Sequence, residues 1–284
     1  MGVIYDIFIS VMEITNGEMT RSIPSSLAPV VERLELDQPE IVTLQELTKI
    51  AGEAGIGTAP ALIAHRLRKR GWLLSTGLNG AWEFAPGAHA GPQSRGGPLL
   101  TVRAALALHP ELAVSVALGS AAWAHGLADR APLRVELALP PEARVPAGLM
   151  RKARVLSFDA RLAPVLRKGV PVQRFETLLV HMAARPSHVR SWGAVVDWLA
   201  DVVAEAEEAD LLAELADRPP AAEVRLAYLI QGLWPDLAQR LGVGVTSKIW
   251  FGPRGKLRRH SQRWRVADSI LPFDPAKLPA VRGS

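Results

Sequence analysis

Between residues 23 and 85 the apolar positions recur first at helical and then at strand spacing. Leu27, Val30, Val31 and Leu34 share one helical face, and Pro24 suits the first turn of that helix. Leu44, Leu47, Ile50 and Ala51 repeat the spacing behind Thr43, with Glu46 three residues after it. A Thr accepting from the third amide while the Glu reaches back is the capping box of a helix start. Gly55-Ile56-Gly57 then predicts a tight turn with Ile56 as its inward plug. Thr58 follows as the expected cap of a third helix, APALIAHRLRKR, which has Pro60 in its first turn and stops at Gly71. Residues 72–75 and 81–84 read as strands around a turn holding Asn79-Gly80, a hairpin signal. Helix, glycine turn, helix and hairpin in this order predict a winged helix-turn-helix over 23–85.

Residues 86–98 lose all periodicity and collect Pro86, Gly87, Gly91, Pro92, Gly96, Gly97 and Pro98, the composition of a linker. A second, larger domain is expected over 99–284. Helical spacing covers 99–109 and 120–127, while 133–139 alternates as a strand and stops at Pro140. Residues 154–158 and 171–175 are two further strand candidates. Ser191 suits the N-cap of a helix reaching about Glu208, with further helices over 211–216 and 222–241 and closing strands at 249–251 and 263–266. The fold class is therefore α+β, with helices in the majority and a small sheet in the second domain.

Composition narrows this picture. The chain has 284 residues, 49% hydrophobic and 21% charged, enough to build two folded domains. With no cysteine, thiol catalysis, disulfides and cysteine zinc sites are excluded together, and the chain suits a reducing cytoplasm. The run 3–11 is apolar but short, contains Asp6 and lacks a basic start, so it reads as neither a membrane span nor a secretion signal. Residues 1–22 form a leader, with Met12 and Met19 as alternative starts. A net charge of +5 and a pI near 9.9 suit an anionic partner.

The positive charge is concentrated. At about 100° per residue, Ala59, Leu62, Ile63 and Leu67 of the third helix fall on the expected inner side. Ala61, Ala64, His65, Arg68 and Lys69 fall outside, with no acid among them. Arg66 and Arg70 sit at the edge, placed to reach toward a nucleic-acid backbone. Arg68 is the candidate for a bidentate contact to guanine, Lys69 and Arg70 suit phosphates, and Thr58 and Ala61 lie in the half of a recognition helix that usually meets bases. The expected wing, residues 76–81, carries no charge, leaving Asn79 as its donor.

Lys248, Arg254, Lys256, Arg258, Arg259, Arg263 and Arg265 form a second basic segment, interleaved with Trp250, Phe251 and Trp264. Two readings stand: a second nucleic-acid surface with stacking aromatics, or core aromatics flanking a solvated loop. Asp197, Asp201, Glu205, Glu207, Glu208, Asp210 and Glu214 crowd one region with the opposite sign. They form a solvated face, a counterpart of the basic loop, or a dock for a basic protein.

No catalytic site emerges. His65, His89, His109, His125, His181, His188 and His260 show no metal-ligand spacing, and no metal or cofactor is expected. Gly242-Val-Gly244 lacks the third glycine of a dinucleotide fingerprint and follows a helix. Leu118-Gly119-Ser120 before a helix and a strand has the layout of a nucleotidyltransferase start. Such enzymes need two carboxylates one residue apart on that strand, whereas this one supplies Glu136 alone and Asp129 stands in the preceding loop.

Taken together, these segments resemble the AbiEi-type antitoxins of bacterial abortive-infection toxin–antitoxin operons, most closely the actinobacterial members. The resemblance is carried by residues 70–73, by 119–127 (GSAAWAHGL), by 250–254 (WFGPR) and by 263–268 (RWRVAD). It implies a non-enzymatic protein whose N-terminal domain represses its own operon at inverted repeats in double-stranded DNA. It also implies a C-terminal domain that counters a nucleotidyltransferase-like toxin. The wing of the family often carries a basic residue, and this one does not. The alternatives are a winged helix that binds protein, with the acidic region docking the toxin, or a degenerate nucleotidyltransferase-like enzyme using Glu136.

Overall fold

The computed structural model describes residues 23, 25–88, 94, 96–242 and 246–282. The leader, Pro24, the middle of the expected linker and Val243-Gly244 lie outside the described residues. Two compact units divide the chain at Pro110, and the fold is α+β as expected.

In the first unit a 3-10 turn, Ser25–Leu27, leads into α1 (Ala28–Asp37), which buries Val30, Val31 and Leu34. Strand β1 (Ile41–Thr43) follows, too short to register as alternation in the sequence. It ends on Thr43, whose side chain caps α2 (Leu44–Glu53) in the capping box predicted with Glu46. The helix turns off through Gly55, which sits at φ +66°, where a side chain would be strained. Ile56 packs on the core, as its place in the turn predicts. Helix α3 (Pro60–Lys69) then crosses α2. The hairpin β2 (Leu73–Ser75) and β3 (Ala81–Phe84) pairs antiparallel, and β1 adds on the far side of β3. Three helices pack around Leu27, Leu34, Leu47, Ile63 and Leu67, and a sheet in the order β1-β3-β2 closes the unit.

Helix α4 (Leu100–Leu108), expected in the second domain, packs in the first unit against β1 and β3. Arg103 pairs with Glu40 at 2.6 Å, and the Thr101 hydroxyl donates to the Thr76 carbonyl at 2.9 Å. A periodic helix cannot disclose which sheet its apolar face will cover.

The second unit centres on a five-stranded mixed sheet, ordered β6-β5-β4-β8-β7. Its strands are β4 (Ser115–Val116), β5 (Glu136–Leu139), β6 (Arg154–Ser157), β7 (Val165–Arg167) and β8 (Val170–Val172). Helix α5 (Leu118–His125) follows β4, and α6 (Ala147–Lys152) makes the short crossover between the parallel β5 and β6. The predicted strand 133–139 begins only at Glu136, because Leu133 is fully exposed. The one predicted at 171–175 ends at Val172, and Phe175 opens α7 (Phe175–Ala184). Strands β4 and β7 are too short for a period-2 signal.

Helix α7 is buried along nearly its whole length and organises the helical layer. Around it pack α9 (Leu199–Glu205), α10 (Glu208–Leu215) and α11 (Pro220–Ile230). Ser191 caps as predicted, but the helix behind it breaks into α8 (Trp192–Val195) and α9, with Trp198 buried at the break. The helix expected over 222–241 is likewise two, α11 and α12 (Pro235–Arg240). Pro235 cannot donate to the preceding turn and so starts a new helix. A second sheet, β10-β11-β9, comprises β9 (Ile249–Phe251), β10 (Arg259–Ser261) and β11 (Val266–Asp268). The strand expected over 263–266 starts only at Val266 and runs parallel to β9. No helix among the described residues is long and apolar enough to cross a membrane.

Candidate nucleic-acid interface and the Glu136 network

Helix α3 buries Ile63, Ala64 and Leu67 and exposes Ala61, Leu62, His65, Arg68 and Lys69. The buried face is turned by about one residue from the one computed. Ala64, expected outside, is 2% exposed, and Leu62, expected inside, is 43% exposed. Ala64 joins the core of the first unit with Ile63 and Leu67, where a methyl group packs without a polar group to satisfy. Thr58 does not cap the helix. Ala59 occupies the cap position and makes no side-chain bond there, because the helix begins at Pro60, one residue later than a Thr58 cap requires. Arg66 and Arg70 are half-buried at the edge of the face. Among the described residues none of His65, Arg66, Arg68, Lys69 or Arg70 enters an ion pair. The face is cationic, uncompensated and open.

The wing differs in kind. Thr76 and Leu78 are buried, the Thr76 hydroxyl donates to the Ala81 carbonyl at 2.9 Å, and Gly80 at φ +86° faces Leu108 of α4. Helix α4 covers the hairpin turn, and Asn79 remains exposed at its tip.

In the second unit the basic segment is split by the fold. Phe251 and Trp264 are core residues and Trp250 is half-buried, so the interleaved aromatics pack inward instead of offering a stacking platform. Arg259 is committed to Asp268 at 2.8 Å and to the Leu271 carbonyl. Arg265 donates to the Thr246 carbonyl, while Lys248 and Arg263 lie over the rings of Trp250 and Trp264 at 5.1 and 4.9 Å. Arg254, Lys256 and Arg258 stay exposed in the β9–β10 loop. The acidic region is largely internally paired: Glu207 with Arg282, Glu208 with Arg240, Asp210 with Arg174 and buried Glu214 with Arg218. Asp197, Asp201 and Glu205 remain solvated.

The Leu118-Gly119-Ser120 turn has a definite geometry. Leu118 is buried in the left-handed region at φ +50°, a strained place for a leucine. Glu136, on the neighbouring strand, accepts from the Gly119 amide at 3.1 Å and from the Arg154 guanidinium at 2.7 Å, and its own amide donates to the Ser120 hydroxyl at 2.9 Å. The anion-attracting start of α5 is therefore filled by the protein's own carboxylate. Burial raises the Glu136 pKa from its ordinary value, and the bond from Arg154 opposes the rise. A lone carboxylate already held by a guanidinium and an amide does not fit the paired-carboxylate metal site of a transferase. Beside it opens a cleft of about 790 Å³, lined by Leu127, Arg130, Leu133, Arg190, Asp197 and Trp198 among others.

The polar chain behind this site has no signature in local spacing, because its members meet only in the fold. Gln173 meets His181 Nδ1 at 3.0 Å, and His181 Nε2 lies 3.0 Å from His188 Nδ1. His181 stacks on Phe158 at 3.9 Å, and His125 Nε2 donates to the Gln173 carbonyl at 2.8 Å. Burial pushes His181 well below the usual histidine range, with neighbouring His188 adding to the shift. Burial also lowers His125 and His188.

Residues 114–232 match the AbiEi antitoxin C-terminal domain. The crystal structure of the RV2827C protein from Mycobacterium tuberculosis is similar over 90% of this chain and 95% of that chain, with 30% identity and a TM-score of 0.76. No curated protein matches the chain.

Proposed function

This chain belongs to the AbiEi antitoxin family, and from that premise we propose that its first unit binds operator DNA through α3 and represses its own operon. The second unit, which carries the antitoxin domain, counters a nucleotidyltransferase-like toxin encoded beside it. The protein works in the cytoplasm and without catalysis of its own. One observation carries the DNA reading: His65, Arg68 and Lys69 stand exposed on one helical face without a counter-ion among the described residues. Such a face gains free energy by displacing counter-ions from a duplex. Thr58 and Ala61 supply close approach at the N-terminal half of the helix, Arg68 the base contact, and Lys69, Arg66 and Arg70 the phosphates. With the wing turn packed under α4, Asn79 is the wing's one exposed donor among the candidates, so backbone contacts and duplex shape dominate.

Gel shifts on the DNA upstream of the operon test this. Binding should weaken with salt, and Arg68→Ala with Lys69→Ala should lower the salt slope by about one to two. Binding indifferent to salt, or unchanged in the double variant, overturns it. Arg254, Lys256 and Arg258 are proposed as a separate electrostatic surface of the second unit. Their neutralisation should lower DNA affinity about equally for operator and unrelated sequence.

A further inference from the structure

A smaller pocket of about 280 Å³ opens elsewhere in the second unit. It lies between the end of α7 and the first turn of α11, and its lining includes Arg185, Arg218, Arg225, Asp159, Ser157 and Ala222. The three guanidiniums are not equivalent. Arg218 is neutralised by Glu214, donates to the Asp159 carbonyl at 2.8 Å, and lies over the Phe158 ring at 4.5 Å. Arg225 is half-buried; it donates to the Trp250 carbonyl at 2.7 Å and more weakly to the Ala184 carbonyl at 3.4 Å, and meets no carboxylate among the described residues. Arg185 is exposed, and its side chain makes no hydrogen bond or ion pair among the described residues. The one acid in the lining, Asp159, is largely exposed and faces Arg161 at 3.7 Å.

The pocket therefore holds two guanidiniums without counter-ions among the described residues, and the two repel each other. Burial, and after it the charge of Arg185, lowers the Arg225 pKa from its ordinary value. An anion between them would relieve that repulsion and complete their hydrogen bonding. The volume lies just below the usual range for drug-sized sites, which suits one small ligand.

We propose that this pocket binds a phosphate dianion, free or as the terminal group of a small phosphomonoester, with Arg185 and Arg225 as its ligating guanidiniums. Planar guanidiniums match phosphate oxygens two at a time, a geometry that lysine cannot offer. The site is independent of the α3 face and of the operator reading.

Calorimetric titration of the full chain at constant ionic strength, with inorganic phosphate and separately with adenosine 5′-monophosphate, tests the proposal. Saturable binding of at least one probe is expected, and the tighter of the two identifies the free ion or the ester as the source. Arg185→Ala should weaken that binding about tenfold or more, the loss of one charge-assisted pair of bonds. Arg225→Gln should do the same. If that variant does not fold, Arg185→Ala decides alone, because the exposed Arg185 side chain makes no hydrogen bond or ion pair among the described residues. No saturable binding of either probe, or unchanged binding in Arg185→Ala, overturns the proposal.

Discussion

Glu136 shows how the consequence of one residue depends on its partners. Alone on its strand it reads as half of a metal site. In place, its carboxylate is spent on Gly119 and Arg154. Removing the guanidinium leaves a buried carboxylate held only by the backbone amides at the start of α5. Arg154→Met should therefore destabilise the second unit by about 3 kcal/mol, and adding Glu136→Leu should recover most of that loss in urea unfolding. Thr43 is a simpler case. Its capping bonds are local and were legible from the Thr-x-x-Glu spacing alone. Thr43→Ala should cost about 1 kcal/mol, read from the same unfolding curves.

At the scale of the element, α3 was legible in extent and charge but not in rotation. Helical periodicity places apolar residues on a stripe without saying which edge of it meets a neighbour. Ala64 and Leu62 exchange roles: Ala64 is buried in the core and Leu62 faces solvent. This yields a paired test. Ala64→Lys should prevent folding of the first unit, observed as loss of its cooperative melt. Leu62→Lys should leave the melt within about 0.5 kcal/mol and strengthen DNA binding, since it adds a cation to an exposed basic face. The opposite ranking would restore the face computed from the sequence. The long helices expected over 191–208 and 222–241 failed for a related reason. Their apolar spacing continues across the breaks, while Trp198 and Trp234-Pro235 turn the chain so that both parts of each run bury in one core.

For the molecule as a whole, the polar network makes stability depend on pH in a definite direction. His125, His181 and His188 all titrate below the ordinary value of 6.5 in the folded state. The unfolded chain therefore binds protons on these rings that the folded chain refuses. Their contribution is complete above 6.5 and is lost as pH falls toward the folded values. Glu136 acts in the other sense. Raised above 4.5, it favours the fold at low pH and loses that contribution as pH rises through its folded value. Three rings outnumber one carboxylate, so the urea midpoint should drop as pH falls below 6.5. His181→Gln with His188→Gln should flatten the drop, and an equally steep profile in that variant would locate the dependence elsewhere.

By itself the sequence determined the α+β class, the order of helices and hairpin in the first unit, the capping box, the basic character of α3 and the family likeness. All of these rest on contacts a few residues apart or on charge that needs no partner. Tertiary structure alone decided the rotation of α3, the burial of the wing turn under α4, the internal pairing of the acidic region and the convergence of Arg185, Arg218 and Arg225. Each of these joins residues distant in the chain, and their meeting follows from which apolar faces the core brings together. Local spacing does not encode that outcome.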